Sequence, residues 1–435
     1  MLFLNRMKKF EVLIESFGFK GYGVARIHGK VVFVPHTLAG DRVWIEVTEE
    51  KKNYSKGRLI QILNPSPWRT NPLCTWFGSC GGCHWQHIDY SRQCKIKKEI
   101  LEDLLKRIGR LKEIPPPSVI HSPQPYGYRV RVQLKARGKR LGYYQEKSHR
   151  VVDIQTCPIA HPLINQLLSI IRKRLLPLIQ TEEIEINVSP DENQGVILFP
   201  YLSPNKKTES LFEEILKTHP IVKGIVMGQK GGLNPLGDPT LKFKIPLVSE
   251  KENRTLTLRI SPGSFSQVNP MQNRRLIQTI LQWVERHQVE RVLDLYCGIG
   301  NLTLPLTAIG AKEVFGIEEN RIAIQDARFN AERNGIRNCK FIQGRVEEVL
   351  KSWENENPTL LVVDPPRRGC RDILEQMIRL KPQKVIYVSC EPSTFARDLR
   401  LLTERGYSTE RLELIDMFPQ TYHMEVIGLL QKGQG

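Results

Sequence analysis

The sequence predicts a multidomain chain with a small N-terminal β-barrel, a central mostly β domain, and a C-terminal α/β domain on a parallel, doubly wound sheet. Three observations predict this. Short strand-like runs between glycine-rich turns fill residues 10–63, and similar short pieces dominate 126–260. From Asn269 onward, continuous apolar strands alternate with helical stretches. At 435 residues each part is long enough to bury a core, and the expected division is 1–63, 64–263 and 264–435.

In the first part the strands are EVLIES, KVVFVP and RVWIEVTE, separated by GFKGYGVAR and TLAGD. Basic residues including Lys20, Arg26, Lys30, Lys56 and Arg58 flank the turns. A barrel with a basic rim suits single-stranded or structured RNA, and an ordinary charged surface is the competing reading. The whole chain is basic, with 64 Lys and Arg against 46 Asp and Glu and a formal charge of +18. That excess favours a polyanion, whether RNA, DNA or an anionic membrane. The opening MLFLNRMKKF lacks the apolar stretch of a signal peptide, and no segment is long and apolar enough to span a bilayer. Nine cysteines without an export signal point to a reducing, cytoplasmic compartment.

NPSPWRTNP breaks the barrel pattern, and CTWFGSCGGCHWQ follows it. Cys74, Cys80 and Cys83 are spaced C-x5-C-x2-C among Gly78, Gly81 and Gly82, which a chain folding tightly around a metal centre requires. Three thiolates need a fourth ligand, and Cys94 and Cys157 are the candidates. Four sulfurs hold zinc or an iron–sulfur cluster, and spacing does not separate the two. Residues 91–110 read as a basic helix with Ile96, Ile100, Leu104 and Leu105 on one face. The central part contains YRVRVQLKA, IEINVS and a helix near 161–178.

In the last part, helix 270–288 leads into RVLDLYC, followed by helix 301–308, EVFGIE, helix 320–333 and CKFIQG. TLLVVDPP, KVIYVSC and MEVIGLL are further strands. Binding groups gather at the carboxyl ends of such strands. Gly298 and Gly300 in DLYCGIGNLTL let the backbone approach a ligand, and Glu318 at the end of the next strand suits ribose hydroxyls. S-adenosylmethionine is favoured over a dinucleotide because the third glycine of the dinucleotide spacing is missing, the sheet is C-terminal, and DPP follows a later strand. Asp364 of VVDPPRRG ends that strand. Cys390 in IYVSCEP lies on the same rim, where a thiolate can attack an electron-poor double bond. Carbon 5 of uracil accepts a methyl group once a nucleophile has added to carbon 6, and a base must then remove the carbon 5 proton. Glu425 in MEVIGLL is the best placed carboxylate for that step.

Together CTWFGSCGGCHWQ, SPGSFSQVN, DLYCGIGNLTL, VVDPPRRG, VSCEPSTFARDL and TYHMEVIGLL resemble the RNA uridine-5 methyltransferase family, in particular its iron–sulfur-containing 23S ribosomal RNA branch. The resemblance covers nearly the entire chain. It implies an N-terminal TRAM domain, an OB-like RNA-binding barrel, ahead of a central domain and a Rossmann-like methyltransferase domain. It implies a [4Fe–4S] cluster on Cys74, Cys80, Cys83 and Cys157, with Cys94 left as a packing residue. It assigns Gln267, Tyr296, Glu318 and Asp364 to S-adenosyl-L-methionine, with Asn301 close by, Cys390 as nucleophile and Glu425 as proton acceptor. The implied partner is structured 23S ribosomal RNA, with no membrane and no obligate protein partner. Arg345 stands where methyltransferases of this fold often carry an acidic residue near the adenine, and Lys20 and Tyr22 interrupt the N-terminal glycines. Rival readings are the same reaction on transfer RNA, a cytosine-5 or amino-directed methyltransferase, and a non-enzymatic RNA-binding protein.

Overall fold

The computed structural model describes residues 8–433 apart from 19, 204, 230–231, 249–252, 286 and 354–356. Residues 1–7, which hold most of the stretch read for a signal peptide, lie outside the described residues. Among the described residues no helix is long and apolar enough to cross a membrane.

The N-terminal strands form a six-stranded sheet in the order Lys9–Leu13, Arg42–Glu50, Tyr54–Asn64, Lys30–Val34, Gly23–Ile27 and Ser16–Phe17. Alternation decides its inside. Val43 and Ile45 point into a core with Val12, Ile14, Ala25, Val32 and Val34, while Arg42 and Trp44 point out. Three register shifts between Arg42–Glu50 and Tyr54–Asn64 bend the sheet toward closure.

The central sheet has seven strands, and its order could not be read from the sequence. It runs Val151–Asp153, Arg140–Tyr144, Arg131–Arg137, Glu183–Ser189, Gln194–Phe199, Val222–Gln229, Gly232–Gly237. Helix Lys206–Thr218 is the crossover that lets Gln194–Phe199 and Val222–Gln229 pair in parallel. This helix escaped the sequence reading because it buries little beyond Thr208, Phe212 and Ile215. The expected helix near 161–178 is Pro162–Ile170, continued by a π-turn over Ile171–Leu175.

The C-terminal sheet has eight strands, ordered Cys339–Gln343, Glu313–Glu318, Arg291–Leu295, Leu360–Val363, Lys384–Ser389, Glu425–Lys432, Tyr407–Ile415, Ser118–Ile120. The first five are parallel, and Glu425–Lys432 runs antiparallel to both neighbours. The expected helix at 301–308 is one α-turn, Thr303–Leu306, with a 3-10 turn Thr307–Ile309 that stops at left-handed Gly310.

Three pieces expected within 64–263 pack with this sheet instead. Ser118–Ile120 pairs with Tyr407–Ile415. Helix Tyr90–Arg107 shares one apolar layer with Phe395, Ala396 and Leu399. The hairpin Leu241–Val248 and Asn253–Ile260 shares the other layer with Leu276, Ile277 and Ile280. The helix is also tied down by charge. Fully buried Lys97 places Nζ 2.6 Å from Asp416 Oδ1 and donates to the Phe418 carbonyl at 3.1 Å. Removing one partner of such a pair costs on the order of 3–5 kcal/mol, because the other is left buried and uncompensated. Gln93 holds the same turn, donating to Gln420 Oε1 at 3.0 Å and accepting from Gln420 N at 3.0 Å.

Candidate active site

The rim of the C-terminal sheet is built from strand ends. Where Arg291–Leu295 stops, Tyr296 turns the chain with φ 64°, a left-handed conformation unusual for a bulky side chain. Gly298 and Gly300 follow at φ 54° and 84°, and a Cβ on Gly300 would lie 3.0 Å from Leu304 Cγ. The turn is fastened to its neighbour: Gly298 N donates to Glu318 Oε2 at 3.1 Å, and Asn320 N donates to Glu318 Oε1 at 2.8 Å. Two backbone donors thus fix the carboxylate and leave lone pairs for a ligand. Beneath the turn, burial pushes Asp294 up to about 7 although Thr303 Oγ1 donates to it at 2.6 Å.

Strand register brings the reactive groups together. Ser389 lies opposite Val426 in an antiparallel pair, so Cys390 leaves its strand where Glu425 begins its own. Asp364 follows Leu360–Val363 one strand over. Burial raises the Asp364 and Glu425 carboxyls, and the charge of Asp364 raises Glu425 further. Burial first, then the charges of Glu425 and Asp364, push the Cys390 thiol up to about 12, and Arg367 opposes them. The arrangement favours a neutral thiol and protonated carboxyls until a cation or a polar substrate enters.

Gln267, Tyr296, Glu318, Asp364, Cys390 and Glu425 line one cleft of about 770 Å³. Asn301 lines an adjoining cavity of about 60 Å³, which shares Gln267, Tyr296 and Asp364 with the cleft. Its amide pairs reciprocally with that of Asn273 at 2.8 and 2.9 Å. Arg345, the departure noted near the adenine position, makes ion pairs with Glu347 and Glu348.

The cleft also contains Arg129, Arg367, Thr421 and His423, which the sequence reading did not assign. Arg367 stood in VVDPPRRG and His423 in TYHMEVIGLL, so their motifs were the available signal. Arg129 comes from the central part and carried none. Burial lowers His423 to about 3, so its ring is uncharged near neutrality, and it lies 4.2 Å from the Tyr422 ring.

Cys74, Cys80, Cys83 and Cys157 line a second cavity of about 480 Å³, which adjoins the cleft and shares Gly82, Arg129, Phe265 and Val268 with it. Gly81 N donates to Tyr144 O at 3.0 Å, and a Cβ there would meet that oxygen at 3.0 Å, so a side chain at this position would crowd the loop's contact with Arg140–Tyr144. Cys157 N donates to Asn165 Oδ1 at 2.8 Å, which fastens this residue's backbone to helix Pro162–Ile170. Cys94 lies elsewhere, with Sγ 3.6 Å from Asp416 Oδ2. Burial pushes Cys80 up to about 11 and Cys83 to about 12, and neighbouring cysteines add to both. Among the described residues no set of three or more His, Cys, Asp or Glu is placed to hold a single metal ion. Thiolates around one zinc lie about 2.3 Å from it. The cavity is wide for that, and its four cysteines are set among Trp76, Phe77, Arg129, Arg131 and Tyr143; four sulfurs around such a space fit the donor set of an iron–sulfur centre.

Comparison with known proteins adds three findings. A family model described as tRNA (Uracil-5-)-methyltransferase matches residues 244–433, and one for the TRAM domain matches residues 5–60. An uncharacterized RNA methyltransferase of Aquifex aeolicus is 36% identical, over 98% of this chain and 99% of its own. The 23S rRNA (uracil(1939)-C(5))-methyltransferase RlmD of Nitrosospira multiformis is 34% identical, over 97% and 98%. The tRNA (uracil-54, C5)-methyltransferase of Pyrococcus abyssi, solved with S-adenosyl-L-homocysteine, shares the fold at a TM-score of 0.77, 23% identity, and coverage of 97% of this chain and 99% of that one.

Proposed function

Because the chain belongs to the tRNA (uracil-5-)-methyltransferase family, we propose that it methylates carbon 5 of a uridine in 23S ribosomal RNA through a transient Cys390 adduct. The enzyme is an S-adenosylmethionine-dependent RNA (uracil-C5)-methyltransferase with an N-terminal TRAM domain. The observation that carries the mechanism is the register that sets Cys390 beside Glu425 within a cleft also lined by Glu318 and Asp364. Bound S-adenosylmethionine supplies an electrophilic methyl group on a positively charged sulfur. Glu318, fixed by two backbone donors, orients the ribose hydroxyls. Asp364, Gln267 and Tyr296 hold the remainder, with Asn301 behind them.

The Cys390 sulfur bonds to carbon 6 while the carbon 5–carbon 6 π pair moves onto the ring as an enolate. The thiol proton leaves to solvent water in the cleft before the sulfur attacks, and Arg367 is the neighbour whose charge lowers the cost of losing it. Carbon 5 then takes the methyl group, and the donor's sulfur keeps the electron pair of the broken bond. Glu425 removes the carbon 5 proton, and the sulfur–carbon 6 bond breaks to restore the double bond. The uncharged His423 ring and Phe418 at the cleft wall suit stacking on a displaced base.

The 23S target is supported by the relative whose name carries it and by the barrel and the four-cysteine cavity beside the cleft. An RNA target and free thiols suit a cytoplasmic site of action. Mapping 5-methyluridine in 23S and transfer RNA from deletion and complemented cells tests the target. Loss of one 23S position, restored by the gene, is expected. Loss confined to transfer RNA would reassign the substrate.

Cys74, Cys80, Cys83 and Cys157 would hold the [4Fe–4S] cluster, which would tie the 74–83 loop to the segment leading into helix Pro162–Ile170, since methyl transfer calls for no electron transfer. Anaerobically purified protein should be brown, with iron and sulfide in nearly equal amounts. One zinc per chain with negligible iron would contradict the cluster.

A further inference from the structure

Strand Asn253–Ile260 pairs with Leu241–Val248 along one edge, and its other edge faces helix Arg321–Arg333. Side chains of that helix complete the edge. Asn334, its C-cap, accepts from Thr257 N at 2.9 Å and donates to Thr257 O at 3.0 Å. One turn earlier, Asn330 accepts from Arg259 N at 2.7 Å and donates to Arg259 O at 3.1 Å. Four residues advance about 6.0 Å along a helix, and two advance about 6.6 Å along a strand. Side-chain amides at that spacing can therefore stand in for a neighbouring strand.

The next position is Asp326, and the pattern changes there. An ionised carboxylate accepts but cannot donate. It accepts from Ser261 N at 2.7 Å, Ser261 Oγ at 2.8 Å, Ser264 Oγ at 3.0 Å and Arg259 Nε at 2.9 Å. Asp326 is fully buried. It ends the edge and fastens the turn 261–264, directly before Phe265, Ser266 and Gln267 on the cavity wall. At the start of the same helix, Asn320 donates from Nδ2 to Gly263 O at 3.0 Å and from N to Glu318 at 2.8 Å. One helix therefore holds both sides of the pocket.

We propose that Asp326 is a positioning residue for the methyl donor, fixing the turn that carries Gln267 relative to Glu318. The proposal rests on the donor-pocket reading above. Calorimetric titration of the full-length enzyme with S-adenosylhomocysteine tests it in the wild type, Asp326→Asn, Ser264→Ala and Asn334→Ala. Asp326→Asn should weaken binding about tenfold or more, since small misplacements of binding groups are costly. Its turnover at saturating donor and RNA should stay within about threefold of wild type, giving a split between KM and kcat. Ser264→Ala, which removes one hydrogen bond, should weaken binding severalfold. Asn334→Ala should lower the melting temperature yet leave the affinity within about twofold, because it loosens the same edge away from the turn.

Unchanged affinity in both Asp326→Asn and Ser264→Ala would overturn the proposal, as would an equal loss in Asn334→Ala. If Asp326→Asn fails to fold, Ser264→Ala decides alone. A wild type that binds no S-adenosylhomocysteine would overturn the donor pocket itself.

Discussion

Cys390→Ala is expected to abolish methylation, with a loss of about 10⁴-fold or more, while the affinity for S-adenosylhomocysteine stays within about threefold. Carbon 5 of uracil lacks the electron density to attack a sulfonium, and adding a nucleophile to carbon 6 supplies it. No other thiol can substitute. Among the described residues Cys390 is the one cysteine that lines the cleft: the four cysteines of the second cavity line that cavity, Cys94, Cys297 and Cys370 are buried, and half-buried Cys339 opens the edge strand Cys339–Gln343. Donor affinity should survive because Glu318 and the turn 261–264 ahead of Gln267, which the proposal assigns to the donor, are held by hydrogen bonds that do not involve Cys390. Cys390→Ser keeps the size and a hydrogen-bonding group but is a far weaker nucleophile, so it should be equally inactive. A rate of 5-methyluridine formation near the wild-type value in either variant, measured with tritiated donor, would exclude the covalent route.

Glu425→Gln is expected to stop the reaction one stage later, with the enzyme bonded to methylated RNA. Glutamine matches the size of glutamate but cannot act as a carboxylate base. Cys390 still adds and the methyl group still transfers, but the carbon 5 proton stays and the ring remains saturated at carbons 5 and 6. Elimination of the sulfur needs that proton to leave. The raised carboxyl supports this role, because a group that resists ionisation in the empty cleft is a strong base once ionised. Denaturing electrophoresis should show a shifted protein–RNA band that requires the donor and is missing from Cys390→Ala/Glu425→Gln. Release of methylated RNA by Glu425→Gln at near the wild-type rate, without the band, would assign the proton to another base.

The two residues at the centre of these experiments illustrate what local sequence can carry. Cys390 was legible because an apolar run ending in Ser-Cys-Glu-Pro marks a buried strand emerging at a sheet rim. The glycines at 298 and 300, Glu318 and Asp364 were legible for the same reason: each is defined by its place at the end of its own strand. Glu425 was weaker, since a glutamate opening a strand is often surface. Its burial follows from an antiparallel register against Lys384–Ser389, formed by residues some forty positions apart along the chain.

The barrel, the α/β pattern and the cysteine loop are written in local residue order, because glycine turns, apolar periodicity and short motifs act through neighbours along the chain. Spacing leaves both Cys94 and Cys157 open and the family resemblance implies Cys157; the fold lays Cys157 on the cavity wall and Cys94 against Asp416. Only the fold draws Ser118–Ile120 into the C-terminal sheet, buries Lys97 against Asp416, and lets Asp326 hold the turn before Gln267. These are contacts between residues tens to hundreds of positions apart. Their energy depends on burial and on polar partners meeting out of water, and neither is set by the residues on either side.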